Sequence, residues 1–108
     1  MCLKGKKMER DWKTFKNMIP HLRERYLKSK NYEIIKILQD ENKNQTERFW
    51  SARDKFESER KILVDCLDGY SRSRMLLHLA LMYRYKMLKE DDLNEFSEEL
   101  RNKIMNIN

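Results

Sequence analysis

At 108 residues, with only two glycines and one proline, the chain has the length of one domain and lacks the turn punctuation of a β-sandwich or the glycines of a phosphate-cradling loop. Charged residues make up 39%, yet aromatics reach 10% and the apolar residues are clustered, which excludes a wholly disordered polymer. The net charge of +6 suits an acidic partner or nucleic acid, but 24 basic residues are spread among 18 acidic ones, as on solvated helix faces.

The first stretch, MCLKGKK, is short and basic, and reads as a flexible tail over residues 1–7 ahead of a single α-helical domain over 8–108. From Met8 the pattern turns amphipathic. Trp12, Phe15, Ile19, Leu22 and Tyr26 recur at helical spacing, and Pro20 predicts a kink there or a division into Met8–Met18 and Pro20–Lys28. A further helix is expected from Asn31 through the apolar run Ile34, Ile35, Ile37 and Leu38, with Asn17 or Asn31 as candidate caps. The polar stretch QDENKNQT follows. It predicts a loop within Asn42–Thr46, with Thr46 placed to cap the next helix.

The longest helical beat runs from Phe49 to Leu88. Phe49, Ala52, Phe56, Leu63, Leu67, Tyr70, Leu77, Leu81 and Leu88 fall on one stripe, so the expectation is a central helix roughly 60 Å long. Gly69, after Asp68, is its one weak joint and the place where two helices could meet instead; the stripe stays in phase across it, which favours continuity. Glu90-Asp91-Asp92 then suits a helix start, with Asp92 and Glu95 as cap and partner and Leu93, Phe96, Leu100 and Ile104 as the buried stripe. The expected fold is therefore all-α, a four- or five-helix bundle built on one long central helix. Its core should contain Trp12, Phe49, Phe56, Leu63, Leu67, Leu77, Leu81 and Phe96.

Chemistry is sparse. His21 and His78 have no Cys or carboxylate at metal-ligand spacing, and Cys66 on the apolar stripe has no recognisable base, so neither a catalytic residue nor a metal or other cofactor is assigned. Cys2 and Cys66 form no disulfide framework, which fits a reducing compartment. No apolar run is long enough to span a bilayer; the best, Met75 to Met82, contains His78. The one suggestive constellation is Arg72, Arg74, Arg84 and Lys86 around Tyr70, Tyr83 and Tyr85. Arginine beside aromatics serves phosphate contact and base stacking, and serves protein interfaces equally well.

Four motifs in order carry a resemblance. Glu59-x3-Leu63-x3-Leu67-x2-Tyr70-x-Arg72-x-Arg74-Met75 resembles the long helix of GINS subunits, most closely the Sld-five subunit. Trp12 followed by Pro20-His21-Leu22, then Tyr32-Glu33-Ile34-Ile35, then Leu88-x2-Asp91-Asp92-Leu93 are similar to the family's flanking segments, so the likeness covers about residues 12–104 and the family's α-helical domain only. The departures are Ser71 in place of a leucine, one extra residue between Trp12 and Pro20, and Met75-Leu76-Leu77-His78 after the arginines. The resemblance implies a non-catalytic subunit of a GINS-like tetramer scaffolding the MCM helicase assembly in DNA replication, nuclear in a eukaryote and otherwise cytoplasmic. Tyr70, Arg72 and Arg74 would make inter-helix or inter-subunit contacts. The alternative from residue types alone is a small stand-alone nucleic-acid-binding or inhibitor protein of a mobile element or virus.

Overall fold

A computed structural model describes the backbone of residues 3–107 and the side chains from Lys7 onward. Within these residues the chain is helical without a strand: α1 (Leu3–Leu38), α2 (Gln45–Leu67), a 3-10 turn (Arg72–Arg74), α3 (Met75–Arg84), α4 (Glu90–Leu93) and α5 (Glu98–Ile107). This is the expected all-α bundle. The long helix, however, is α1.

Helix α1 runs for 36 residues and absorbs what the sequence divides into a tail and three helical pieces. Leu3–Lys7 belong to it, while Met1 and Cys2 lie outside the described residues. Pro20 does not end the helix because its ring faces solvent; the carbonyl it leaves without an N–H partner can be hydrated, while Ile19 and Leu22 on the opposite side are fully packed. Residues 39–44 then reverse the chain, with the Asn42 N–H donating to the Asp40 carboxylate at 3.0 Å. The cap of α2 is Asn44, where Thr46 was expected. Its side chain accepts from the Glu47 N–H at 2.8 Å and the Glu47 carboxylate accepts from the Asn44 N–H at 3.0 Å. Thr46 has Phe49 three residues on, which cannot return such a bond.

The expected continuous helix over Phe49–Leu88 is broken at its glycine. Asp68 is extended (φ −91°, ψ 143°) and Gly69 takes φ +69°, so the chain leaves α2 and re-enters a helix only at Met75. The reason is burial. A straight rod would carry Leu79, Met82, Met87 and Leu88 past the reach of the other helices, whereas in the folded chain all four are at most 1% exposed. Each such side chain contributes about 1.5–3 kcal/mol when removed from water, far more than the few tenths per residue that helix propensity offers. The stripe also slips by one position, since α3 buries Met75, His78, Leu79 and Met82 and leaves Leu77 half exposed at 50%.

Helix α3 is closed by Lys86, a non-glycine residue at φ 64° two positions past its end, with the Met87 N–H returning to the Met82 carbonyl at 2.8 Å. The expected last helix from Asp92 is instead two, α4 and α5, separated at residues 94–97. Asp92 stands three residues into its helix turn and reaches back to accept from the Lys89 N–H at 2.8 Å. It also accepts from Arg25 of α1 at 2.5 and 3.2 Å, and Arg25 donates to the Met87 carbonyl at 2.9 Å. Asp11 does the same for α5, accepting from the backbone N–H and hydroxyl of Ser97 at 2.9 and 2.6 Å. Between these polar ties lies the core, from Trp12, Phe15, Ile19 and Leu22 of α1 to Leu93, Phe96, Leu100 and Ile104.

Two outcomes follow. Gly69→Ala is expected to cost about 1 kcal/mol in urea unfolding, because a left-handed backbone penalises a Cβ, although nothing lies within 4 Å of it; in a continuous helix the same change would stabilise by about 1 kcal/mol. Burial pushes the Asp92 carboxyl up, but the Arg25 guanidinium and the Lys89 N–H outweigh it and hold the group below its ordinary value of 3.8. A depressed folded-state value gives stability that is present above that pH and lost as pH falls through it. The wild-type chain should therefore exceed Asp92→Asn by about 1–2 kcal/mol at neutral pH, and the gap should close in acid, read from urea midpoints as a function of pH.

Candidate partner-binding surface

The structure separates the expected basic constellation. Arg72 is held on α1, donating to the Glu9 carboxylate at 2.8 and 3.3 Å and lying over the Trp12 ring at 5.4 Å. That bond raises the arginine and lowers the glutamate from their ordinary pKa values. Tyr70 lids the core, edge-on to Phe15 at 5.4 Å and tilted to Trp12 at 6.1 Å. Arg74 is exposed at the start of α3, whereas Arg84 is exposed at its end beside Lys86, which closes the helix. About 15 Å of helix lies between the two pairs, so they do not form one patch.

The expected core members divide as well. Trp12, Leu67 and Phe96 are buried, and Leu63 and Leu81 are half-buried. Phe49, Phe56 and Leu77 are not core residues. They stand 61%, 56% and 50% exposed. For the phenylalanines the cause is the break at Gly69: with α3, α4 and α5 gathered on the N-terminal half of α1, only α1 itself remains beside the first half of α2.

The result is a head and an arm. The molecule measures 63 × 24 × 23 Å, and the arm is the hairpin of the C-terminal part of α1 with the N-terminal part of α2. Its seam is narrow. Ile34 and Ala52 are buried, but Tyr32, Ile35, Leu38, Phe49, Trp50 and Phe56 are all between 46% and 61% exposed. Midway along the seam a polar cluster replaces apolar packing: buried Glu59 accepts from the Tyr26 hydroxyl and pairs with Lys55 at 3.1 Å, and Lys55 and Lys30 reach Glu33 at 2.9 and 3.1 Å. Burial first, and then the Glu59 hydrogen bond, raise the Tyr26 hydroxyl; the lysines lower the Glu33 carboxyl. The sequence signal for this surface was present in the apolar surplus at Ile34–Leu38 and Phe49-Trp50, but only the chain reversal leaves it uncovered.

Elsewhere the groups suited to chemistry serve packing. The His78 ring donates its Nδ1–H to the Cys66 carbonyl at 2.7 Å. Burial, then the charge of Asp65, pushes the Cys66 thiol up to about 12, so it stays a protonated core side chain at neutral pH. Among the described residues no group of His, Cys, Asp and Glu could hold a metal ion, and no helix is long and apolar enough to cross a membrane.

The exposure of the arm has a measurable consequence. Phe56→Ala should change unfolding free energy by less than about 1 kcal/mol, while Phe15→Ala in the head should cost about 3–5 kcal/mol; similar losses at the two sites would return Phe56 to the core. No protein-family model, curated protein or solved structure matches the chain.

Proposed function

We propose that this chain is a non-catalytic interaction subunit of a helical hetero-oligomer, and that the arm is the element it presents to its partner. One observation carries the reading. Phe49 and Phe56, seven residues apart on α2, stand more than half exposed beside a seam of buried residues, a contiguous apolar strip of the kind that marks a protein interface. The head supports the arm; its own exposed apolar side chains, such as Met8, Val64, Leu77 and Ile107, are divided among α1, α2, α3 and α5 and do not share one seam.

The most specific form of the reading is a GINS-like subunit within a replicative helicase assembly, supported by the ordered motifs around Trp12, Tyr32, Glu59 and Leu88. In this chain the Glu59–Arg74 motif is shared between α2, the turn at Gly69 and the 3-10 turn, in place of the single long helix expected from the family. Tyr70 and Arg72 consequently act within the head, and the arm becomes the contact surface.

Photo-crosslinking from Trp50 in cells of the source organism tests the general reading. The wild-type chain should give a discrete adduct with another protein, and Phe49→Asp/Phe56→Asp should lose it while keeping its circular dichroism and urea midpoint. An adduct indifferent to that pair of changes would remove the arm from the proposal. The GINS form is tested by coexpression with the other three kinds of GINS subunit, which should yield one stoichiometric complex; a chain that elutes alone as a monomer refutes that form.

A further inference from the structure

The interaction reading leaves the chemistry of the partner unspecified, and α2 contains the information to specify it. Two lines of residues run along this helix at seven-residue spacing. Ala52, Glu59 and Cys66 are buried, against α1 and the head; Phe49, Phe56 and Leu63 form the second line, exposed at the tip and half-buried toward the head. In a packed helical bundle both lines of such a heptad are covered, so the second line marks the place of a missing helix.

The charges beside that line select its occupant. Arg53 and Arg60 each follow a phenylalanine by four residues and border the exposed line, with side chains 55% and 61% exposed. Arg53 lies over the Trp50 ring at 5.4 Å and 3.7 Å from Asp54, and Arg60 is 3.3 Å from Glu57. These are solvent-exposed pairs of little worth, so both guanidiniums can turn to a new carboxylate. The other border is the buried line itself; Arg48 and Lys55 lie beyond it, Arg48 donating to the Lys43 carbonyl and Lys55 paired with Glu33 of α1. A second copy of this chain fits poorly. Antiparallel α2 helices centred on Phe56 would set Arg53 against Arg60 of the second copy, and the net charge of +6 adds to the repulsion.

Resting on the interaction reading, we propose that the Phe49–Phe56–Leu63 line docks an amphipathic helix of a partner protein that carries Glu or Asp beside its apolar stripe. The line spans about 21 Å, so the docked segment is about four turns long. The phenylalanines supply the affinity, and Arg53 and Arg60 supply the choice of partner and its register.

Two synthetic helices of about 20 residues, long enough to hold helical structure, test this with the full chain. Both carry the same leucine stripe, one flanked by Glu and the other by Lys, and binding is read by fluorescence anisotropy. The Glu helix should bind at least tenfold more tightly than the Lys helix, Arg53→Glu/Arg60→Glu should reverse the order, and Phe49→Asp/Phe56→Asp should abolish both, with all variants keeping wild-type circular dichroism. Equal binding of the two helices, a preference for Lys, or no binding of the Glu helix overturns the proposal. So does a dimer in light scattering that Phe56→Asp dissolves, which assigns the line to a second copy, or arginine-dependent binding of anionic vesicles or duplex DNA without discrimination between the helices. If the helices bind equally but the phenylalanine pair still abolishes the cellular adduct, the acidic partner falls and the interaction reading stands; an adduct insensitive to that pair removes the interaction reading itself.

Discussion

A helix of 36 residues is about 54 Å long, and the rest of this chain cannot sheathe it. Three short elements and the end of α2 suffice to surround one half of α1 and to build a closed core around Phe15, Ile19 and Leu22. The other half receives only the first half of α2. Two helices in contact bury one line of side chains each and leave the flanking lines in water, which is why the arm carries Leu38, Phe49 and Phe56 on its surface; the head closes a core, and the apolar side chains it exposes, such as Met8, Leu77 and Ile107, come singly from several helices. The asymmetry follows from chain length and from where the chain turns.

Polar groups at the joints hold this arrangement in register. An apolar seam between two helices tolerates sliding by a turn, whereas a buried carboxylate does not, because displacement would strip Glu59 of the Tyr26 hydroxyl and Lys30 of α1, and Lys55 of Glu33, in a place that water reaches poorly. Asp92 and Asp11 act alike at the head, one fixing the α3–α4 connection to Arg25 and the other fixing the start of α5 through Ser97. Each of these three ties joins α1 to a distant stretch of the sequence.

A surface of this kind suits binding better than chemistry. The buried histidine and cysteine lie within the packed core, the arginine once grouped with a basic patch is tied to Glu9, and the remaining residues of that group stand at the two opposite ends of α3. The arm joins exposed aromatics to arginines that have only weak surface partners, and those two ingredients recur where helical subunits recognise one another.

Helical periodicity made the fold class, the buried stripe of Trp12, Phe15, Ile19, Leu22 and Tyr26, and the polar reversal before α2 legible from residue order alone, since each is a local property of spacing or of backbone-bonding side chains. The break at Gly69 was not legible as a break, because two helices packed on a common third one display the same apolar stripe as a single rod. Pro20 misled in the opposite sense, since its effect depends on whether its lost hydrogen bond faces water. Which apolar residues end in the core and which on the arm is a matter of how many neighbours the reversal brings to each, and that is set by long-range packing. Periodicity identified the residues that seek burial; only the tertiary structure decided that Leu79 and Met82 obtain it and that Phe49 and Phe56 do not.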